Sequence, residues 1–262
     1  MKKILLALTA VAAMTGSASA ADLAARPYVK APVPAPVANW TGFYIFGGGG
    51  GGGGLSNSDQ SVQTTVGAVP LTIGQRQGGS GWFGTVGLGY DWQFNSTWVA
   101  GVFADGQFGS IRGTVQDPFF GITGSQKLED SWAAGVRLGY LVAPNVLSYV
   151  NGGYSGAHFG QTNFMTLAGV PAGAHLNSYN RNGWFVGGGV ENSLNIFGIS
   201  SPGWFMKTEY RSAFYNAKTQ DELIDGVNLP TGNSIRANSW NQTISTSLVY
   251  RFNWTGPVVA KY

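Results

Sequence analysis

Residues Trp82 to Phe94 read WFGTVGLGYDWQF. Trp82, Val86, Leu88, Tyr90, Trp92 and Phe94 fall on one parity, with Thr85, Gly87, Gly89, Asp91 and Gln93 on the other and Phe83 as the apolar exception. Alternation at period two places successive side chains on opposite faces of a strand, so this stretch is a strand with one apolar face that carries an aromatic ring at each end. A water-soluble sheet has no use for that arrangement. A lipid bilayer does, because amphipathic rings settle at its two interfaces.

The same pattern recurs outward along the chain, at 98–110, 130–142, 182–194, 204–216 and 238–252, and more weakly at 40–54 and 146–158. Eight strands result. The links between them alternate: 55–80, 111–129, 159–181 and 217–237 are long, whereas 95–97, 143–145 and 195–203 are short. Alternating links put all the long ones at one end, as expected of an all-β, eight-stranded antiparallel up-and-down transmembrane β-barrel with long loops outside and short periplasmic turns.

Charge fixes the register. On 204–216, Lys207, Glu209 and Arg211 alternate with Trp204, Met206 and Tyr210. A cation at the bilayer midplane on the lipid side costs roughly 2–4 kcal/mol, so these charges are expected in the lumen and the rings in lipid. By the same parity Asp91, Asp105, Arg137, Glu191 and Arg251 point inward, giving a polar core of compensating charges. A barrel of eight strands is narrow enough for side chains to fill, which favours a plug over a pore. Expected interfacial anchors are Trp40, Trp82, Trp92, Trp98, Trp132, Tyr140, Trp184, Trp204, Phe252 and Trp254. NWTG occurs at 39–42 and again at 253–256. Closure of the first strand on the last would bring the two copies together at the periplasmic rim.

The ends of the chain fit export. Lys2 and Lys3, an apolar core and the Ala18-Ser19-Ala20 triplet form a secretory signal peptide over residues 1–20, too short in its apolar part to span a bilayer. Residues 21–39, rich in Ala and Pro, form an extended periplasmic linker. The barrel occupies 40–252. Pro257 cannot donate to a ladder, so 253–262 is a periplasmic tail.

Composition excludes several functions. The chain has 15 Lys+Arg and 12 Asp+Glu; with two of the lysines in the leader, the mature charge is nearly balanced and leaves no footprint for nucleic acid. It has no cysteine and two histidines, His158 and His175, in separate segments, so no metal site is expected. The run of eight glycines at 47–54 matches G-x-G-x-x-G, but neither a Lys-Ser/Thr pair nor a helical pattern follows, as a phosphate loop requires. It reads instead as the upper half or fraying edge of the first strand, where glycines leave room for bulky neighbours and allow strong twist. Gly153-Tyr154-Ser155-Gly156-Ala157 approximates a nucleophile elbow, yet it sits inside a strand and its nearest histidine, His158, has the opposite parity. No enzyme activity is expected. His175, in AGAHLNSYN, reads as an exposed loop histidine.

Several segments together carry a resemblance: NWTGFYIFGG, GWFGTVGLGYDWQF, GVRLGYLVAPNVLSYVNGGYS, GWFVGGGVENSL, WFMKTEYR and SLVYRF. The chain resembles the porin-family outer-membrane immunogenic proteins of rhizobial-type Gram-negative bacteria over nearly its whole mature length. The resemblance implies a barrel akin to the OmpA transmembrane domain, four surface-exposed loops and a part in envelope integrity. Some such proteins bind hemin, for which His175 is the better placed candidate; otherwise no cofactor is expected. The implied partners are outer-membrane lipid, lipopolysaccharide and the barrel-assembly machinery. Three functions follow as expectations: a structural surface barrel, a small or gated porin, or a receptor for hemin or another ligand.

Overall fold

The structure is a computed structural model that describes residues 39–196 and 199–252. Its strands are β1 (Gly42–Thr64), β2 (Gln75–Gln93), β3 (Trp98–Asp117), β4 (Ile122–Ala143), β5 (Val146–Phe159), β6 (Thr162–Thr166), β7 (Pro171–Leu176), β8 (Tyr179–Ile196), β9 (Ile199–Ile224) and β10 (Pro230–Arg251). Eight of them form the wall in the order β1-β2-β3-β4-β5-β8-β9-β10, every neighbour antiparallel, and β10 pairs with β1 to close it. Closure leaves no ladder edge in the lipid zone, where an unpaired amide could find no water.

The lipid crossing uses only part of each strand. On β2, Trp82 and Trp92 bracket the apolar outer face and are eleven residues apart inclusive, close to the roughly 9–11 that a tilted strand needs to cross a bilayer. β2 has 19 residues and β9 has 26. The surplus lies at the long-hairpin end, in 55–80, 111–129, 159–181 and 217–237, where the sequence pattern suggests loops. The backbone there is mostly continued strand, with non-strand links at 65–74, 118–121, 160–161, 167–170, 177–178 and 225–229 among these segments. Away from lipid the outer face is polar, so alternation between apolar and polar residues vanishes although pairing continues.

That extension has its own core. Val62, Val115, Ile122, Phe164, Ala174, Leu176 and Ile235 pack together within it. β6 and β7 complete the wall: beyond the end of β5, β6 pairs with β4 (Ile122↔Thr166) and β7 pairs with β9 (Ala174↔Ile224). At the opposite end the turns are tight. Asn95 accepts the N–H groups of Thr97 and Trp98 at 2.8 and 2.7 Å, a side-chain turn that sets the β2–β3 hairpin. The expected nine-residue link 195–203 is instead a hairpin paired as far as Ile196↔Ile199.

The glycine run is neither frayed nor at an edge. Gly47 pairs with Leu248 on one side and Val86 on the other, and the pairing continues on both sides to Gly52. A Cβ on Gly48 would strike the carbonyl oxygen of Thr246, and one on Gly50 that of Ile244. The backbones of β1 and β10 therefore approach too closely for any other residue at these two positions, and the run ends in a bulge between Gly52 and Gly54.

Candidate functional site

The lumen is the place where this sequence spends its buried charge. Asp91 on β2, Arg137 on β4, Glu191 on β8 and Arg251 on β10 come from alternate strands of the eight, and they meet in one cross-section. Arg137 forks onto Asp91, Nε donating to Oδ1 at 2.8 Å and Nη2 to Oδ2, while its Nη1 donates to Glu191 Oε2 at 3.1 Å. Arg251 Nε donates to Glu191 Oε1 at 2.8 Å, and its Nη2 lies 2.8 Å from Asp91 Oδ2. Each anion touches both cations. The ring closes on itself and carries no net charge.

A second layer lies toward the long-hairpin end. Arg211 on β9 reaches across the lumen to Asp105 on β3, with Nη1 and Nη2 donating at 2.9 and 2.7 Å. Arg211 Nη2 also donates to Glu209 Oε1 at 2.8 Å; Lys207 Nζ stands 3.7 Å from Glu209 Oε2, which accepts the Tyr149 hydroxyl at 2.8 Å. Two cations again balance two anions. Pairing of this quality is what makes charge tolerable in so dry a place, because an isolated buried ion would cost several kcal/mol.

Aromatic rings fill what the charges leave. Arg137 lies over Tyr44 at 4.4 Å, Lys207 over Phe46 at 3.3 Å and Arg211 over Phe185 at 4.7 Å. Glycines on β2 make the room: Tyr44 pairs with Gly89 and Phe46 with Gly87, and a Cβ on either glycine would run into the facing ring. The lumen core is thus not purely polar, as parity suggested, but a stack of neutral ion-pair layers cemented by rings.

Trp40 departs from its expected place as a lipid anchor. It is 1% exposed, tucked under the short-turn end of the lumen, 5.0 Å from the Phe205 ring, with the Arg251 guanidinium 4.4 Å from its own. Its backbone N–H donates to Gln93 Oε1 at 2.8 Å and its Nε1 to the Pro144 carbonyl at 3.2 Å. Residue 40 precedes β1, so strand parity does not govern it, and the Arg251 guanidinium above offers the indole a better surface than lipid does.

The other rings keep to the outside. Trp82, Trp132 and Trp184 are exposed near the long-hairpin side of the crossing, and Trp92, Trp98, Tyr140, Trp204 and Phe252 at the other. Trp184, Phe214 and Trp240 stack across three strands at 4.4 and 5.4 Å. Trp254 lies outside the described residues.

His175 is not the exposed loop residue that the sequence suggested. It sits on β7, 5% exposed, with Nδ1 2.7 Å from Asp225 Oδ1, and it lines an open cavity of ≈590 Å³ with Asn163, Met165, Asn177 and Asn228. Ser155 donates to the Trp132 carbonyl at 2.9 Å and lies 3.2 Å from the Tyr215 hydroxyl, while His158 bonds Asn180 on the outer face. Among these groups no base faces the serine.

A closed eight-stranded barrel with an apolar belt, two aromatic girdles and a packed lumen defines an integral outer-membrane β-barrel protein. Residues 4–252 match the family described as the outer membrane protein beta-barrel domain, and the chain belongs to that family. It is 27% identical over 264 residues to the 31 kDa outer-membrane immunogenic protein of Brucella melitensis, covering 96% of this chain and 100% of that one, and the Brucella suis protein of that name matches equally. Among solved structures it is similar to the outer membrane protein OprG from Pseudomonas aeruginosa (12% identity, 82% of this chain and 98% of that one, TM-score 0.49). Neisserial surface protein A is similar at 15% identity, over 81% and 98% of the two chains, with a TM-score of 0.40.

Proposed function

We propose that this protein is a non-conducting structural barrel that presents its long hairpins at the cell surface and contributes to envelope integrity. The observation that carries the reading is the closed Asp91-Arg137-Glu191-Arg251 ring, which occupies a full cross-section of the lumen with side chains almost wholly buried. A path for ions would have to break a layer in which each charge has two partners. The girdles anchor the barrel at the two bilayer interfaces, so outer-membrane lipid and lipopolysaccharide are its immediate partners. A signal peptide cleaved before Ala21 and the barrel-assembly machinery deliver it there. No catalytic role follows from Ser155, whose hydroxyl is spent within the wall.

Topology is tested by labelling whole cells with a membrane-impermeant maleimide, since the chain has no cysteine of its own. Val227→Cys, in the β9–β10 turn, is expected to react, and Asn145→Cys, in the β4–β5 turn, to react only after lysis. The reverse pattern would invert the barrel. A second reading, a receptor for hemin or another ligand, is supported by the cavity beside His175: Asp225 holds Nδ1, which leaves Nε2 as the ring's available nitrogen. Hemin titration of the wild type against His175→Ala tests it, and equal affinities would dismiss it.

A further inference from the structure

We infer that Asp117 and Glu222 share one proton, and that this proton fastens β3 to β9 across the mouth of the barrel, so that alkaline medium releases the long-hairpin end. β3 and β9 lie four strands apart in either direction round the wall. The side-chain hydrogen bond between Glu222 and Asp117 therefore spans the interior.

The two carboxyls are fully buried yet unequally provided for. Asp117 Oδ1 accepts the N–H groups of Phe119 and Phe120 at 2.6 and 3.1 Å, and Oδ2 accepts Asn233 Nδ2 at 3.0 Å. Three donors thus already occupy the Asp117 oxygens. Neither oxygen of Glu222 receives a hydrogen bond of ordinary geometry among the described residues. Buried beside the Asp117 carboxyl, with no cation and only the neutral Thr231 hydroxyl at hand, a carboxylate at Glu222 is strongly disfavoured. A protonated Glu222 removes the conflict, because it becomes a donor to the Asp117 carboxyl beside it.

The groups around the pair leave no other resolution. From β10, Thr231 and Asn233 face it, and both are neutral. Asp221 accepts from Ser234 Oγ at 2.7 Å, and His175 and Asp225 hold each other. Arg181 donates to the Ala237 carbonyl and to Ser239 Oγ, each at 2.9 Å. Arg76, Arg112 and Arg236 are exposed. Burial first, and then the charge of Asp117, push the Glu222 carboxyl up to about 8. For an acid raised in the folded state the sign is definite: the folded form holds a proton that the unfolded form has released. The clasp is complete below the ordinary glutamate value of 4.5 and weakens as pH rises to about 8.

Because the chain lacks cysteine, Phe120→Cys and Val227→Cys give a clean pair of spin-label positions on the β3–β4 and β9–β10 turns, both exposed. Distances are measured by pulsed electron spin resonance on the full chain in lipid vesicles at about pH 6 and about pH 9.5, either side of the expected transition. A narrow distribution at the lower pH that lengthens and broadens at the higher one, with a midpoint near 8, is expected. In Glu222→Gln the amide donates to Asp117 at every pH, so the narrow distribution persists. Glu222→Leu, neutral at every pH, removes the same response and serves if the amide variant inserts poorly. Wild-type distances that do not change with pH overturn the proposal, and so does a pH response in either variant equal to that of the wild type.

Discussion

Replacing Glu191 with glutamine isolates the worth of the lumen ring. Glu191 is fully buried and accepts from Arg137 at 3.1 Å and from Arg251 at 2.8 Å. Glutamine keeps the volume but removes the charge, leaving two guanidiniums to share Asp91. An uncompensated buried charge of this kind costs about 3–5 kcal/mol. Arg251→Met strips the opposite sign from the same layer and is expected to cost a similar amount. The double variant is neutral again and retains the Arg137–Asp91 fork, so it should be about 2 kcal/mol more stable than the sum of the single effects allows, within the range measured for contacting pairs. Urea unfolding in lipid vesicles, followed by tryptophan fluorescence and by the heat-dependent shift on gels, measures all three. A Glu191→Gln protein within about 0.5 kcal/mol of wild type, as for an ordinary surface change, would refute the view that the ring is closed and dry.

At the β1–β10 seam, Gly50→Ala is expected to cost about 1–3 kcal/mol as an overpacked contact, because its methyl meets the Ile244 carbonyl. The neighbouring Gly51→Ala has its nearest atom at 3.7 Å and should be tolerated; equal losses on the heat-shift assay would contradict the seam. Trp40→Ala should destabilise by about 3–5 kcal/mol, the cost of emptying a buried aromatic site, although the sequence reads this residue as an interfacial ring. A loss below about 1 kcal/mol in the same urea assay would return it to the surface. Protease added to intact cells should cut only in the non-strand links 65–74, 118–121, 160–161, 167–170, 177–178 and 225–229; cleavage spread through 111–117 or 217–224 would mean that the extension is loop rather than wall.

Parity made the barrel legible. Trp82 to Phe94 alternates, Phe83 apart, because one face meets lipid and the other, carrying Gly and Asp, meets the lumen, and the charges at 207, 209 and 211 leave a single register without heavy cost. The extension was not legible because Thr114, Gln116 and their neighbours face water on the outside, where no apolar set is demanded. Lumen aromatics were half visible: Phe83 stood out as an exception, while Tyr44 and Phe46 were hidden beside Phe43 and Ile45 in a segment that is apolar on both faces. Which charge meets which could not be read, since the ring joins β2, β4, β8 and β10, residues far apart along the chain. The Asp117–Glu222 contact was invisible for the same reason. The glycine run could be placed on β1, but its cause, the closeness of Thr246 and Ile244 carbonyls, belongs to the partner strand.

Single-channel recording of the purified full-length protein in planar bilayers tests the closed lumen most directly. Wild type is expected to give a flat trace, with no unitary steps at either polarity. Glu191→Ala, which removes one wall of the ring and leaves an excess of guanidinium, is expected to admit ions and to prefer anions. Reproducible wild-type steps that survive repurification, with an open state unaffected by the Glu191 substitution, would show that ions bypass the layers and that the protein is a pore.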